Sequence, residues 1–506
     1  STKTFDFIEG NATGAFQLLD VDLTGKKIAE YPEGIPGEFK KKVKEVSMPD
    51  PAFEIGKTTI NFYLRPYRSA LGSELAMYVN TITGEQQDYT LKFDEQGNAT
   101  ISFEQYGFAQ ACIVNHNVGT YALLSLYPGE TIDCYIDARV SASGAMRNNR
   151  YIPKGIYKRN IHNGKYGDYD RAISNASNLD DYSLEIYSGS FGDYRMTGEE
   201  YKDMLKKRYT ALSDSISKAK IPQIEKEYYQ LRLQNDILTA MSDYRRILAQ
   251  NYRSVKDDWS SPIPQDSIPA HLTDNEFKEV TTWFDISNPK LLMVDQWSIG
   301  KLNWNTYGTL GDLSKSIGMF GEMAHKAQEQ KLSEADLDSL KTLSNPFFAN
   351  ACDSIARHTK EKYIELQKKV NVMSTPNVAD DKLFDAIIAP YKGKVVIVDL
   401  WNTWCGPCRM ALAQTEPLKT GELANADIVW LYIADESSDP LKYLEMISDI
   451  RGIHYKVNPN QIKAIRERFK VDGIPYYILV DRQGKAEGRP DIRDHTRYIE
   501  AIKSKL

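Results

Sequence analysis

The feature that most constrains the fold lies near the C-terminus, where an apolar run leads directly into two cysteines. Residues 394–400 are predicted to form a buried strand because 395–398 are continuously apolar, and a helical pattern opens around Cys405 and Cys408. Beyond them the sequence predicts strands at 427–433 and 476–480 and helices at 407–418, 440–450, 459–469 and 495–504. Alternation of this kind predicts an α/β sheet.

The two cysteines have the spacing and context of a redox pair. Cys405 sits where a helix begins, so unpaired backbone N–H groups and the helix dipole stabilise its thiolate and make it the predicted nucleophile. Cys408 lies one helical turn further along the same face. It can therefore attack a mixed disulfide formed by Cys405 and release the reduced substrate.

The dipeptide between the cysteines fits the start of a helix. Pro407 lacks an N–H that would be unpaired in the first turn anyway, and with Gly406 it sets how closely the two sulfurs approach. We therefore expect Gly406 and Pro407 to influence the redox poise and to face the substrate.

Residues 393–409 read Gly-Lys-Val-Val-Ile-Val-Asp-Leu-Trp-Asn-Thr-Trp-Cys-Gly-Pro-Cys-Arg. This run closely resembles the active-site segment of thioredoxins, especially the TlpA-like branch of the cell envelope, and the resemblance extends over about 376–506. It implies a thioredoxin-like domain that performs thiol–disulfide exchange without a cofactor.

The same resemblance implies roles for residues outside the cysteine pair. Asp399 resembles the buried carboxylate that exchanges protons with the resolving cysteine, and Pro475 resembles the cis-proline that faces the disulfide. The backbone of Ile474 would then pair with an extended substrate segment. Trp404 is expected beside the sulfurs, either shielding them and contacting substrate or simply packing there.

The sequence departs from the TlpA-like pattern at several positions. Relatives often carry a Glu and a Pro where this chain has Ala411 and Ala413, so proton handling is expected to depend on Asp399. A helical segment at 382–388 replaces a hairpin. The stretch between Cys408 and Pro475 is long enough for the extra strand and helix of that branch, with 453–455 predicted inside it.

The first 145 residues alternate short apolar runs with turn signals such as Gly97-Asn98 and Pro128-Gly129. This pattern predicts a β-rich, sandwich-like N-terminal domain with strands at 58–64, 89–93, 99–103, 121–126 and 131–136.

A helical period follows, which predicts a mainly α-helical domain over 146–375. Apolar residues recur three and four apart over 201–216 and 224–241, and helix starts are indicated at Ser333 and at Asn345-Pro346. The entry segment at 147–197 is rich in Tyr and lacks a period, so it is either a recognition loop or an irregular packed connection. A linker is predicted at 371–381, which gives a multidomain α+β chain with its last domain at 376–506.

Bulk composition excludes several classes of partner. With 63 Lys plus Arg, 69 Asp plus Glu and no long run of one sign, the chain has no charge footprint for nucleic acid. No apolar run approaches the ~18 residues of a spanning helix. Because the chain begins at Ser1, we expect that a leader has been removed or omitted, and that leader could have carried a lipid anchor.

The sequence thus predicts an enzyme that reduces disulfides in protein substrates and is itself reduced by an upstream thiol donor. The resemblance to the TlpA-like branch implies that it acts in the periplasm or cell envelope. Two alternatives stay open: a binding or assembly module on a thioredoxin scaffold, and an oxidant or isomerase using the same pair. A zinc site is disfavoured because no second Cys or His pair completes four ligands. The other cysteines, Cys112, Cys134 and Cys352, are expected to be buried small apolar residues, with a Cys112–Cys134 bridge as the alternative.

Overall fold

The computed structural model describes residues 34–40, 46–65, 67, 73–84, 86–115, 119–137, 160–174, 182–294, 311–425 and 427–506. The chain divides into two compact units. The first comprises residues 1–323 and 335–351, and the second comprises residues 324–334 and 352–506.

The first unit opens with two four-stranded sheets. Their strands are β1 (Ile55–Arg65), β2 (Glu74–Thr81), β3 (Gln86–Lys92), β4 (Asn98–Tyr106), β5 (Ala109–Asn115), β6 (Gly119–Leu126), β7 (Thr131–Asp137) and β8 (Asn160–His162). One sheet has the order β4-β1-β7-β8 and the other β3-β2-β5-β6. Strand β1 is antiparallel to β4 and parallel to β7.

Both sheets contribute side chains to a single core, as in a β-sandwich. Phe62 and Ile136 come from one sheet, Val79 and Ile113 from the other, and all four are fully buried. Buried residues alternate with partly exposed ones along β1, which is the period of a strand with one face against a core. The predicted sandwich-like domain is therefore confirmed, although β2 and β5 were not predicted.

Helices follow the sandwich in the first unit, as predicted. They are α1 (Gly167–Ser174), α2 (Gly198–Lys218), α3 (Gln223–Ser242), α4 (Tyr244–Lys256) and α5 (Asp274–Val280). The next three, α6 (Asp312–Gln328), α7 (Glu334–Lys341) and α8 (Phe347–Lys369), include residues of both units. A capping box starts α2, because Thr197 and Glu200 satisfy each other's backbone N–H groups. Tyr201, Leu205 and Ile237 lie in the helical core.

The Tyr-rich segment at 147–197 falls partly outside the described residues. Its described parts contain β8, α1 and an irregular stretch at 182–197 in which Leu184 and Phe191 are buried against the helical core. Asn251 holds this stretch by donating to the carbonyl oxygen of Phe191 at 2.8 Å. These contacts favour the packed connection, and a recognition role stays a prediction.

The second unit is built on a six-stranded sheet. Its strands are β9 (Val372–Met373), β10 (Val395–Leu400), β11 (Ile428–Asp435), β12 (Ile453–Val457), β13 (Tyr476–Val480) and β14 (Ala486–Gly488), in the order β14-β13-β10-β11-β12-β9. Strands β9, β12, β11 and β10 run parallel, whereas β13 and β14 form antiparallel pairs at one side.

Helices cover both faces of this sheet. They are α9 (Leu383–Ile388), α10 (Gly406–Thr415), α11 (Pro440–Ile447), α12 (Pro459–Phe469) and α13 (His495–Lys503). Helices α9 and α12 pack on the face that carries Val396, Val398 and Leu400. Helix α13 packs on the opposite face, which carries Val395 and Ile397. Every residue of β10 is buried, which explains why its sequence is apolar at every position except Asp399.

The second unit begins earlier than the predicted boundary at 376. Tyr363 and Leu366 of α8 pack against the buried cluster around Trp401, and Val372 pairs with His454 at the sheet edge. The predicted linker at 371–381 therefore opens with a strand of the sheet. The multidomain α+β architecture with a C-terminal thioredoxin-like α/β domain is confirmed.

Among the described residues, no helix has both the length and the apolar composition needed to cross a membrane.

Candidate functional site

Cys405 and Cys408 are joined in a disulfide where β10 passes into α10. Cys405 is the N-cap of α10, and its Sγ accepts a hydrogen bond from the backbone N–H of Cys408 at 3.2 Å. Pro407 occupies the first turn of the helix, as predicted. Cys408 is fully buried and Cys405 is 5% exposed, so Cys405 is the sulfur on the open side.

The loop that carries Cys405 is fastened by a polar network that sequence reasoning missed. Asn402 is buried; its amide donates to Asp435 Oδ2 at 3.0 Å and its oxygen accepts the N–H of Asp435 at 3.0 Å. The N–H of Thr403 donates to Ser438 Oγ at 3.1 Å. Trp404 is 59% exposed, and its indole N–H donates to Ser437 Oγ at 2.9 Å. The network holds the cysteine loop against the end of β11.

A second loop meets the disulfide from the other side. The Ile474–Pro475 peptide bond is cis, and the carbonyl oxygen of Ile474 lies 3.6 Å from Cys405 Sγ. Arg493 fixes this loop by donating to the carbonyl oxygens of Pro475 at 2.8 Å and Gly473 at 2.9 Å, and to Asp472 at 2.7 Å. The structure thus brings Ile474 and Pro475 to the cysteine pair.

Asp399 lies inside the sheet, on the strand that leads to Cys405. It pairs with Tyr477 on β13 and Tyr432 on β11, and it is 4% exposed. Its Oδ1 has no hydrogen-bond partner among the described residues. Burial raises the pKa of this carboxyl from its ordinary value near 3.8 to about 7, and the charge of Lys419 opposes part of that rise. Asp399 can therefore exchange a proton near neutral pH.

Lys419 is the buried cation whose charge acts on this carboxyl. Its ammonium lies 4.7 Å from the ring centroid of Tyr432, the residue paired with Asp399. It also donates to the carbonyl oxygen of Arg451 at 2.6 Å and to Glu416. Burial lowers the pKa of Lys419, whereas its hydrogen bond to Glu416 raises it. The sequence analysis did not predict this buried cation, whose charge acts on Asp399.

Replacing Lys419 with methionine is expected to raise the pKa of Asp399 above about 7, because the positive charge that favours the carboxylate is lost. The titration of the Asp399 carboxyl carbon in ¹³C-labelled oxidised protein measures this pKa. Lys463→Met is the control, since the Lys463 side chain is 74% exposed. An unchanged or lower pKa in the Lys419→Met variant would contradict the assignment.

An open cleft of about 450 Å³ lies over the disulfide. Its lining includes every predicted substrate-contacting residue, namely Trp404, Gly406, Pro407 and Ile474. Arg466, Val471 and Asp472 complete its walls together with Cys405 and Gly473. A second cleft of about 510 Å³ adjoins it and shares Trp404, Arg466 and Val471. The site can therefore admit a polypeptide segment next to Cys405.

The remaining cysteines lie outside this site. Cys134 on β7 is fully buried and is not part of a disulfide, so the alternative Cys112–Cys134 bridge is not formed. Burial raises the pKa of the Cys134 thiol, which makes it a poor nucleophile. Cys352 is buried in α8.

A buried Ser–Asp–His cluster in the first unit does not have the order of a nucleophilic triad. Ser125 Oγ donates to Asp170 Oδ1 at 2.6 Å, and His162 Nε2 lies 2.9 Å from Asp170 Oδ2. A hydrolytic triad places the imidazole between the hydroxyl and the carboxylate, whereas the carboxylate is central here. The cluster therefore ties β6, β8 and α1 together.

In the part of the chain that the structure describes, no group of three or more His, Cys, Asp or Glu side chains could hold a metal ion.

Comparison with known proteins covers the C-terminal part of the chain. The model of the thioredoxin-like family matches residues 393–486. The thiol-disulfide oxidoreductase ResA of Geobacillus kaustophilus is 22% identical over 121 residues, which are 23% of this chain and 67% of that protein. A thioredoxin of Staphylococcus aureus is 41% identical over 49 residues, 10% of this chain and 47% of that protein.

A solved structure gives a similar match. The thioredoxin domain of a thiol-disulfide oxidoreductase from Bacteroides vulgatus is 20% identical and covers 24% of this chain and 84% of that chain, with a TM-score of 0.21. The matches described here lie in about a quarter of the sequence or less, so they bear on the C-terminal unit.

Proposed function

We propose that the C-terminal unit, which carries a thioredoxin-like domain of the thiol–disulfide oxidoreductase family, reduces disulfides in protein substrates through Cys405 and Cys408. The observation that carries the proposal is the placement of one sulfur in an open cleft and the other behind it. Cys405 lines the cleft, whereas Cys408 is fully buried.

In the proposed reaction the Cys405 thiolate attacks one sulfur of the substrate disulfide. This step forms a mixed disulfide and releases the first substrate thiolate. The Cys408 thiolate then attacks Cys405 Sγ, forms the Cys405–Cys408 disulfide and releases the second substrate thiolate. Two electrons have moved to the substrate, and an upstream dithiol donor must return them to the protein.

Asp399 is proposed to accept the proton of the Cys408 thiol for the second attack. Its support is burial on the strand that leads to the cysteines, together with a pKa of about 7. A carboxyl with this pKa is half-ionised near neutral pH, so it can both take up and return a proton. Lys419 is a positioning residue in this scheme because it acts through Asp399.

Pro475 and Ile474 are proposed to receive the substrate backbone. The carbonyl of Ile474 lies at the sulfur of Cys405, and the loop is held in place by Arg493. An extended substrate segment could add to this loop as a strand does, so that main-chain hydrogen bonds give affinity for many sequences. Gly406 and Pro407 leave the approach to Cys405 free of long side chains.

The proposed location is the cell envelope, with protein substrates that carry disulfides. Structural disulfides persist in oxidising compartments and are rare where glutathione keeps thiols reduced. The resemblance to the TlpA-like branch supports the same location. The first unit, with its sandwich and helices, would then select or present the substrates.

The equilibrium reduction potential of the pair tests the direction of the reaction. We expect a value near or below about −250 mV, since a reductant must hold its electrons less tightly than its substrate. The full-length protein is equilibrated in dithiothreitol buffers of defined poise, and the thiols are counted after acid quenching and alkylation. A value near about −120 mV would instead identify an oxidant.

A further inference from the structure

We propose that Arg466 selects substrates that carry an acidic side chain close to the target cysteine. The proposal rests on the proposed disulfide reduction and deepens it by naming the chemical class of the substrate segment. Arg466 lies in the second half of α12, on the wall of the cleft that contains Cys405.

Arg466 has a central place among the groups that line the two clefts. Trp404, Arg466 and Val471 line both of them, so Arg466 is the charged side chain that the two clefts share among the described residues. The other charged group of the cleft over the disulfide is Asp472. Arg493 already pairs with Asp472 at 2.7 Å and keeps the pKa of that carboxyl low. Among the described residues, the cleft beside the sulfurs therefore offers one cation for a ligand.

The hydrogen-bonding capacity of Arg466 is largely unused within the protein. A guanidinium has five N–H donors, and the contact of Arg466 Nη2 with Asp435 Oδ2 is long, at 3.5 Å. Its Nε is buried and has no hydrogen-bond partner in the described part of the chain. Because the side chain as a whole is 40% accessible, a ligand in the cleft can accept from the guanidinium N–H groups that Asp435 leaves free.

Asp435 is not a full partner for this guanidinium because its oxygens have other donors. Oδ1 accepts from the N–H of Ser437 at 2.9 Å and from the Ser437 hydroxyl. Oδ2 accepts from the Asn402 amide at 3.0 Å. These hydrogen bonds hold the loop of Cys405, so both oxygens of Asp435 already have donors other than Arg466. Arg466 is left half-exposed, with its side chain 40% accessible.

The ligand that best fits these donors is a carboxylate. A guanidinium binds a carboxylate through two parallel hydrogen bonds, whereas it repels a lysine and makes weaker bonds to a neutral amide. A substrate segment that crosses Ile474 with its cysteine at Cys405 would carry neighbouring side chains into one cleft or the other. Arg466 lines the cleft over the disulfide, so an Asp or Glu next to the target cysteine can reach it there. The adjoining cleft also carries Asp435, Glu436 and Glu467 and is less favourable to an acidic side chain.

Peptide disulfides that differ only in the residues flanking the cysteine test the proposal. Three otherwise identical peptides carry Glu, Gln or Lys there, and the second-order rate of their reduction by the reduced full-length protein is measured. We expect the Glu peptide to react about tenfold or more faster than the Lys peptide at low salt, with the difference shrinking as ionic strength rises.

Variants of Arg466 should change the relative rates at which the three peptides are reduced. Arg466→Gln is expected to bring all three rates to within about twofold, and Arg466→Glu to reverse the order, since the charge that discriminates is neutralised or inverted. Lys463→Gln is the matched control: it removes a cation from the same helix, but one that lines only the cleft away from the sulfurs. This variant should keep the preference for Glu.

Neutral hydroxyethyl disulfide separates this proposal from the proposed function. Lys463→Gln should reduce it at the wild-type rate. For the Arg466 variants, each peptide rate is divided by the rate of the same variant with this neutral substrate. Equal wild-type rates for Glu and Lys peptides, or a Glu preference that survives in Arg466→Gln, would overturn the selection by Arg466. Equal slowing of all substrates in Arg466→Gln would also overturn it, because Arg466 would then act on the Cys405 thiolate. Failure of the wild type to reduce any disulfide would instead remove the proposed function.

Discussion

Replacing Cys405 with serine is expected to abolish disulfide reduction, with a loss of about 10³-fold or more. The hydroxyl of serine is a far weaker nucleophile than a thiolate at neutral pH, and no side-chain base among the described residues makes a hydrogen bond to Cys405 Sγ. The measurement is the rate at which the reduced full-length protein cleaves a peptide disulfide. A rate close to that of the wild type would remove Cys405 as the nucleophile.

Replacing Cys408 with serine is the matched experiment, because it should stop the reaction one step later. Cys405 can still attack, but no resolving thiol remains, so the mixed disulfide with substrate accumulates. Mass spectrometry of the intact protein detects this adduct as an added substrate mass. Cys112→Ser, in the sandwich of the first unit, is the control and should neither slow the reaction nor trap the adduct.

The replacement of Asp399 with asparagine is expected to stabilise the second unit at alkaline pH. The folded-state pKa of Asp399 is about 7, compared with an ordinary value near 3.8. Between these values the folded protein binds more protons than the unfolded chain, so stability falls as pH rises and the loss is complete above about pH 8. A shift of about three units corresponds to about 4 kcal/mol, an order-of-magnitude figure.

Asparagine cannot ionise, so the variant should lack this loss. It should resemble the wild type near pH 4 and exceed its stability by a few kcal/mol near pH 9. Hydrogen exchange of peptides from β10, compared between variant and wild type at each pH, reports the local stability. Asp381→Asn is the control, because the Asp381 side chain is 68% exposed. Equal protection of the wild type and the Asp399→Asn variant at pH 9 would show that ionisation of Asp399 does not destabilise the folded unit.

Several elements of the second unit were predictable because their signals are local. Helix α12 has the predicted bounds, since Asn458 caps it and Pro459 begins it. Strand β13 also has its predicted bounds, which a short apolar run between Pro475 and Asp481 indicated. The two cysteines could be identified as a redox pair from their position between a predicted strand and a predicted helix.

Other strands were not predicted because their sequences carry only weak local signals of strand structure. Strands β2 and β5 include Glu, Ala, Asn and Gln, residues with low strand preference, and they hold their place by pairing with each other and packing Val79 and Ile113 in the core. Strand β9 is two residues long and is defined only by its pairing with β12. Long-range pairing therefore decided these strands.

The sequence by itself determined the strand–turn–helix that carries Cys405 and Cys408, because helix capping and a three-residue spacing act over one turn of chain. It also indicated Asp399 and Pro475 through their resemblance to a known motif. Only the tertiary structure buried Lys419 where its charge acts on Asp399, placed Asn402 and Asp435 under the cysteine loop, and placed Arg466 in the cleft wall. These residues are far apart in the sequence. The effect of their charges depends on burial and on neighbours that only folding brings together.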